Sequence, residues 1–116
     1  MTFLKNFIKS EIFPEILQCE HSKFEDFRGS LWTTFDKDFF SGIKVCEALD
    51  FTHDKFAFSK KSVIRGIHGD HKSYKLITPV FGKIFQVVVD CRKNSKNYLK
   101  HQAFTLDANK PTSILL

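Results

Sequence analysis

Between residues 74 and 91 the chain reads YKLITPVFGKIFQVVVDC. This stretch constrains the fold more than any other. Residues 83–91 form a β-branched and aromatic run of the kind a buried strand uses, and residues 74–81 form a second. Gly82 sits between them as a turn residue. Pro79 cannot donate to a ladder, so the 74–81 run is expected at an edge or a bulge. Further strands are predicted over 30–35 (SLWTTF, after an Arg28-Gly29 turn), 50–59, 98–106 and 112–116. In the 50–59 run Phe51, His53, Lys55 and Ala57 share one face, and Asp54, Phe56 and Phe58 the other. The helical signal is confined to 36–41, with Asp36 as its N-cap. Many short strands at close spacing predict an all-β sandwich or barrel. The final TSILL is apolar and strand-like, where termini usually fray into polar residues. It leads us to expect a barrel that is incomplete on its C-terminal side.

Length and composition narrow the class. A chain of 116 residues with 42% hydrophobic content, 14 of its residues Phe, suits one folded domain over 1–116. The net charge of +5 is dispersed, without the block of like charges that a nucleic-acid-binding arm would carry. Cys19, Cys46 and Cys91 are widely spaced and form no CxxC pair, so they read as reduced thiols in a cytoplasmic protein. MTFLKNFIKS is too short and too interrupted by charge for a signal peptide. No run approaches the ~18 apolar residues that a membrane-spanning helix needs. Neither a nucleic acid nor a membrane is expected as a partner.

The chemistry is concentrated in SVIRGIHGDHKSYKLITPVFG, residues 62–82, where Arg65, His68, His71, Lys72 and Lys75 lie between apolar runs. Metal-binding cupins carry two histidines one residue apart, then a Glu, then a Gly seven positions on. The last spacing survives here, Lys75 standing seven before Gly82, but the Glu position holds a lysine. An ammonium has no lone pair for a metal and would repel one. No metal is expected.

The same residues resemble a different family. SVIRGIHGDHKSYKLITPVFGKIFQVVVDCR is similar to the RGxH…K…G…VxVDxR core of the nucleotide-sugar 3,5-epimerases. FEDFRGSLWTTF resembles that family's F-x-D-x-RG segment, and FTHDKFAFSKKSVIRGIH the strand leading into its active-site motif. The likeness runs from Ile12 to the end. The wording RGIHGD…YKL…VVVDCRK…YLK is most similar to the branch acting on GDP-linked 4-keto-6-deoxy-heptoses in bacterial capsule synthesis.

The resemblance implies a cupin or jelly-roll barrel. It also implies epimerisation of a nucleotide-linked 4-keto-6-deoxy sugar at C3, C5 or both, without cofactor. His68 takes the family's base position, and a histidine suits that work because its ordinary pKa lies near neutrality. Lys75 would face the oxyanion that develops on the 4-keto oxygen. Arg65 would clasp a diphosphate oxygen with its planar fork. Arg28 resembles the family's second phosphate arginine, which reaches the neighbouring subunit, and Phe24 would lie against the nucleotide base. His53, twelve before Arg65, stands where the family often has a substrate-contacting Gln. Asp90 and Arg92 read as structural, and alternation puts Gln86, Val88 and Asp90 on one face. Gln86 stands where many rhamnose-pathway members carry Asp.

In the family the acid on the opposite face is a later tyrosine, followed by an Asp that orients the base. Both would lie beyond Leu116, and Tyr74 and Tyr98 are not at the acid position. The implied partners are a nucleotide-diphosphate sugar and a second copy that exchanges N-terminal strands. Two alternatives stay open: a catalytically inactive cupin-like binding or assembly module, and a sugar-nucleotide 3,4-ketoisomerase. The RGIHGD wording and the Lys75 spacing speak against the ketoisomerase.

Overall fold

The computed structural model describes residues 4–9 and 12–116. The opening stretch read as too short for a signal peptide lies partly outside them. Strands dominate: β1 (Leu4–Lys9), β2 (Leu17–His21), β3 (Lys23–Asp26), β4 (Gly29–Trp32), β5 (Leu76–Ile77), β6 (Lys83–Val89), β7 (His101–Asp107) and β8 (Thr112–Leu115). One short helix, α1 (Lys37–Ser41), and a 3₁₀ turn at Lys44–Cys46 complete the described elements. The all-β expectation holds.

Four strands form an antiparallel sheet in the order β1-β2-β8-β5, while β3–β4 and β6–β7 are separate hairpins. The C-terminal strand β8 is inserted between β2 and β5, with Cys19 opposite Ser113 and Ile77 opposite Ile114. That position accounts for its apolar sequence, since it is covered on both faces. On one side Leu115 joins Leu17, Cys19, Phe40 and Cys46, with Leu76 and Phe51 packed against them. On the other Ile114 joins Phe13, Ile16, Phe104 and Leu106, with Ile77, Val88 and Leu116 at the margin. Phe39, Phe40 and Phe51 pack on the first side. Phe35 stacks on Phe40 at 5.3 Å, and Phe51 meets both edge-on.

Asp36 caps α1 as expected. Its carboxylate accepts the backbone N–H groups of Asp38 (3.0 Å) and Phe39 (3.2 Å). The 83–91 run is β6, paired with β7 from Lys83↔Asp107 to Val89↔His101. Gly82 enters β6 at φ +72°, a conformation that favours glycine. The 112–116 run is β8.

Other strand expectations are corrected. The 30–35 strand ends at Trp32. The 74–81 strand is reduced to Leu76–Ile77, and Pro79, which has no N–H to give, follows two residues on. It belongs to a different sheet from β6, so Gly82 is not the tip of a hairpin. The 98–106 strand starts only at His101, after a turn in which Leu99 takes φ +64°. The 50–59 strand is not formed. Among the described residues no strand lies between Trp32 and Leu76, and Phe56 and Phe58 are exposed. Alternation alone does not make a strand without a neighbour to accept its backbone bonds.

Candidate functional site

Lys75 is the best anchored of the expected site residues. Its backbone exchanges two hydrogen bonds with Leu116, N–H to carbonyl at 2.8 Å and the reverse at 3.0 Å, which extends the β5–β8 ladder by one residue. Alternation puts Lys75 on the same face as Ile77, the side that packs on Phe104, Leu106 and Ile114. Gln86 belongs to that side too, since it lies directly opposite Phe104 in the β6–β7 pair. A half-buried lysine therefore stands beside an apolar floor.

His68 precedes Lys75 in an exposed loop and owes its placement to Gly66. Gly66 has φ +116°, and a Cβ there would lie 3.5 Å from both the backbone N and the ring Nδ1 of His68. The space would admit a side chain, and it is the positive φ of Gly66 that favours glycine in the RG-x-H motif. Arg65 is exposed and donates through Nε to Ser59 Oγ at 2.9 Å. Its two Nη groups make no hydrogen bond among the described residues. Asp70 sits between His68 and Lys75 and accepts the N–H groups of Lys72 (2.7 Å) and Ser73 (2.6 Å). These donors, with the Ser73 hydroxyl and the Lys75 charge, hold its carboxyl below the usual range.

Arg28 and Phe24 lie on the β3–β4 hairpin. Phe24 is opposite Leu31 and half exposed. Arg28 occupies the turn, over the Phe27 ring at 5.9 Å, and is forked onto Asp26. Its Nε and Nη2 reach Oδ2 at 3.0 and 2.5 Å, and its backbone N reaches Oδ1 at 2.8 Å. The fork lowers the Asp26 pKa. His53 is in the exposed stretch after Phe51, with Thr52 Oγ1 3.5 Å from its Nδ1.

Arg65, His68 and Lys75 thus share the stretch 65–75, Phe24 and Arg28 share the β3–β4 hairpin, and His53 lies in the stretch before Arg65. No hydrogen bond or ion pair joins Arg28 to Arg65, His68 or Lys75. Among the described residues no three His, Cys, Asp or Glu side chains are grouped as metal ligands would be.

Asp90 and Arg92 do build structure. Asp90 is buried and accepts Arg92 Nε (2.9 Å) and Nη2 (2.8 Å), the Arg92 backbone N–H (3.0 Å) and Ser95 Oγ (2.6 Å). Arg92 Nη1 then reaches Glu15 (3.2 Å), and Asn97 Nδ2 reaches the Ile12 carbonyl (3.0 Å), tying the end of β6 to the segment before β2. Sequence reasoning overlooked the roles of Asp26 and Asp70. The signals were present: an Asp two residues before an Arg-Gly turn, and an Asp just ahead of a polar bend. It also overlooked a buried polar chain in the main sheet, in which His21 Nε2 meets Ser113 Oγ and Ser113 Oγ meets Thr78 Oγ1 at 2.5 Å.

Comparison with known proteins adds an independent line. A family model described as dTDP-4-dehydrorhamnose 3,5-epimerase matches residues 10–116. The Shigella flexneri protein of that name is 36% identical over 106 residues, covering 89% of this chain and 58% of the relative. The Escherichia coli K12 protein of that name is 33% identical over 107 residues, covering 90% and 57%. This chain thus spans somewhat more than half the length of these relatives. A dTDP-6-deoxy-D-glucose-3,5-epimerase from Legionella pneumophila, solved with dTDP-4-keto-L-rhamnose, superposes with a TM-score of 0.84 at 23% identity, covering 97% of this chain and 60% of that one. The dTDP-4-dehydrorhamnose 3,5-epimerase of Sulfolobus tokodaii gives 0.80 at 24%, covering 95% and 62%. The structural likeness carries the all-β, cupin-type fold.

Proposed function

Because the chain belongs to the dTDP-4-dehydrorhamnose 3,5-epimerase family, we propose that it binds a nucleotide-linked 4-keto-6-deoxy sugar and removes the proton beside the ketone. The observation that carries this reading is the RGIHGD…K segment itself. It lies within the matched residues, and its lysine is fixed by the sheet at the edge of an apolar floor. In the proposal His68, as neutral imidazole, accepts the proton from C3 or C5. The electron pair moves onto the 4-keto oxygen, and the Lys75 ammonium stabilises the resulting enolate. Arg65 and Arg28 hold the diphosphate, Phe24 lies against the base, and His53 bonds a sugar hydroxyl. Inversion also requires a proton returned to the opposite face. Tyr74 lies outside the strand and is exposed to solvent, which makes it a poor donor.

The relatives compared here are named for dTDP sugars, while the RGIHGD wording and the neutral Gln86 resemble the GDP-heptose branch and its capsule role. Pairing with a second copy is part of the same reading, and the exposed Phe27, Leu31, Phe56 and Phe85 are apolar side chains that such a copy could cover; a cytoplasmic setting goes with a nucleotide-sugar substrate.

The test is to incubate the protein in D₂O with the dTDP- and GDP-linked 4-keto sugars in parallel and follow deuterium at C3 and C5 by NMR. The expected result is uptake with one of the two, lost in His68→Ala, the labelled carbon naming the site of deprotonation. Binding without uptake would refute the proton-transfer reading and favour a binding or assembly module.

A further inference from the structure

We infer that Asp70 is a positioning residue for the proposed proton transfer, its carboxylate closing the turn that sets His68 relative to Lys75. The inference rests on the reading above. Lys75 is pinned to Leu116 by the ladder, and His68 is turned by Gly66. What joins them is the stretch 69–74. Among the described residues its hydrogen bonds all run to one carboxylate: Lys72 N–H at 2.7 Å and Ser73 N–H at 2.6 Å to Asp70 Oδ1, with the Ser73 hydroxyl also drawn to it.

Two features make the arrangement more than an ordinary bend. First, the segment is exposed and no buried side chain within it locks its course, so the carboxylate is the one internal constraint on the span between base and lysine. Second, the surroundings favour the ionised form, through the N–H donors and the Lys75 charge. Charge-assisted bonds of this kind are stronger than neutral ones. Asp70 makes no step of the reaction. It narrows the range of separations that His68 and Lys75 sample, and proton abstraction next to a ketone depends on both groups meeting the same substrate.

The experiment compares wild type, Asp70→Ala and Asp70→Asn with two readouts. Amide hydrogen exchange of Lys72 and Ser73, followed by NMR on the protein alone, reports the turn. Deuterium uptake by the sugar nucleotide reports the chemistry. Asn keeps an acceptor oxygen but not the charge, so it should retain part of the amide protection and lose less rate than Ala. Ala should lose amide protection and slow uptake by about ten- to a hundredfold, with the loss falling on kcat rather than KM. Unchanged uptake in Asp70→Ala, with wild type active, would overturn the inference alone, as would unaltered protection of the two amides. Loss of rate in Asp70→Asn equal to that in Asp70→Ala would also overturn it, since the turn would then not be what matters. Absence of uptake in the wild type would refute the proton-transfer reading and this inference with it.

Discussion

Replacing Ser113 by alanine is the sharpest probe of how the central sheet holds β5, the strand that carries Lys75 at its head. Ser113 is wholly buried in β8, and its hydroxyl bridges His21 on β2 and Thr78 just beyond β5. The substitution removes little volume, so the cavity term is small. It does remove the partner of His21 Nε2. The other ring nitrogen, Nδ1, is also buried, beside the Thr33 backbone but without a well-formed hydrogen bond. Leaving a buried polar group unsatisfied costs about 1–3 kcal/mol. Half-buried Thr78 can turn to water, so we take about 2 kcal/mol for the whole change. With a urea dependence of about 1.5 kcal/mol/M, the unfolding midpoint should fall by roughly 1.3 M. The double variant His21→Leu with Ser113→Ala should be less destabilised than Ser113→Ala alone, because removing both partners leaves nothing orphaned. Urea titrations followed by circular dichroism on the four members of the cycle decide the matter. A midpoint shift under about 0.3 M for Ser113→Ala, or a double variant weaker than the single by the full His21 cost, would refute the reasoning.

Stability should also fall in two steps as pH is lowered. Burial depresses the His21 pKa below 6.5, so the unfolded chain takes up that proton first and stability declines from about pH 6.5 down to the folded value. The Arg92 fork and Ser95 hold the Asp90 carboxyl far below the ordinary range, so its contribution is present above pH 3.8 and is lost as pH falls through and below it. Urea midpoints across pH should show both steps, with the first absent in His21→Leu and the second reduced in Asp90→Asn, the remainder coming from Asp26, Asp70 and Asp107, whose carboxyls are also held low. A thiol reagent on the native protein should modify Cys91 alone. Cys19 is pushed up to about 12 by burial and Cys46 is raised for the same reason, and mass spectrometry should find all three labelled only after unfolding.

What could be read from the sequence follows from where each element gets its order. The Asp36 cap and the β6 run depend on neighbours in sequence, and both were legible. β8 was legible from its apolar end, Ile114 and Leu115, which face opposite cores, but not from Ser113, a buried polar residue in the same strand. β2 was not, since its inward residues are Leu17, Cys19 and His21. One of these is a polar ring whose burial makes sense only beside Ser113, far along the chain. The 50–59 run shows the opposite failure, strand-like alternation with no strand beside it. The candidate site divides in the same way. Motif wording marked His68, Lys75, Arg65 and Arg28, but the turn that separates the first two depends on a short loop carboxylate that no periodicity announces.

The sharpest distinction the structure adds lies between two copies of one local pattern. Asp26-Phe27-Arg28 and Asp90-Cys91-Arg92 share the Asp-x-Arg spacing, and each folds back into a guanidinium fork on its own carboxylate. Sequence alone would give them one role. Burial gives them two. The Asp90 carboxylate is 3% exposed and takes a further donor from Ser95, so losing Arg92 would strand a charge inside the protein. That pair is committed to structure. The Asp26 carboxylate is 43% exposed and its arginine 77%, so water and salt can replace either partner at small cost. An incoming diphosphate, with more charge and several acceptor oxygens, can compete for the Arg28 fork at less cost than for Arg92, whose departure would leave the buried Asp90 carboxylate unpaired. The same Asp-x-Arg spacing therefore makes one arginine a clamp on the fold and leaves the other available to a ligand.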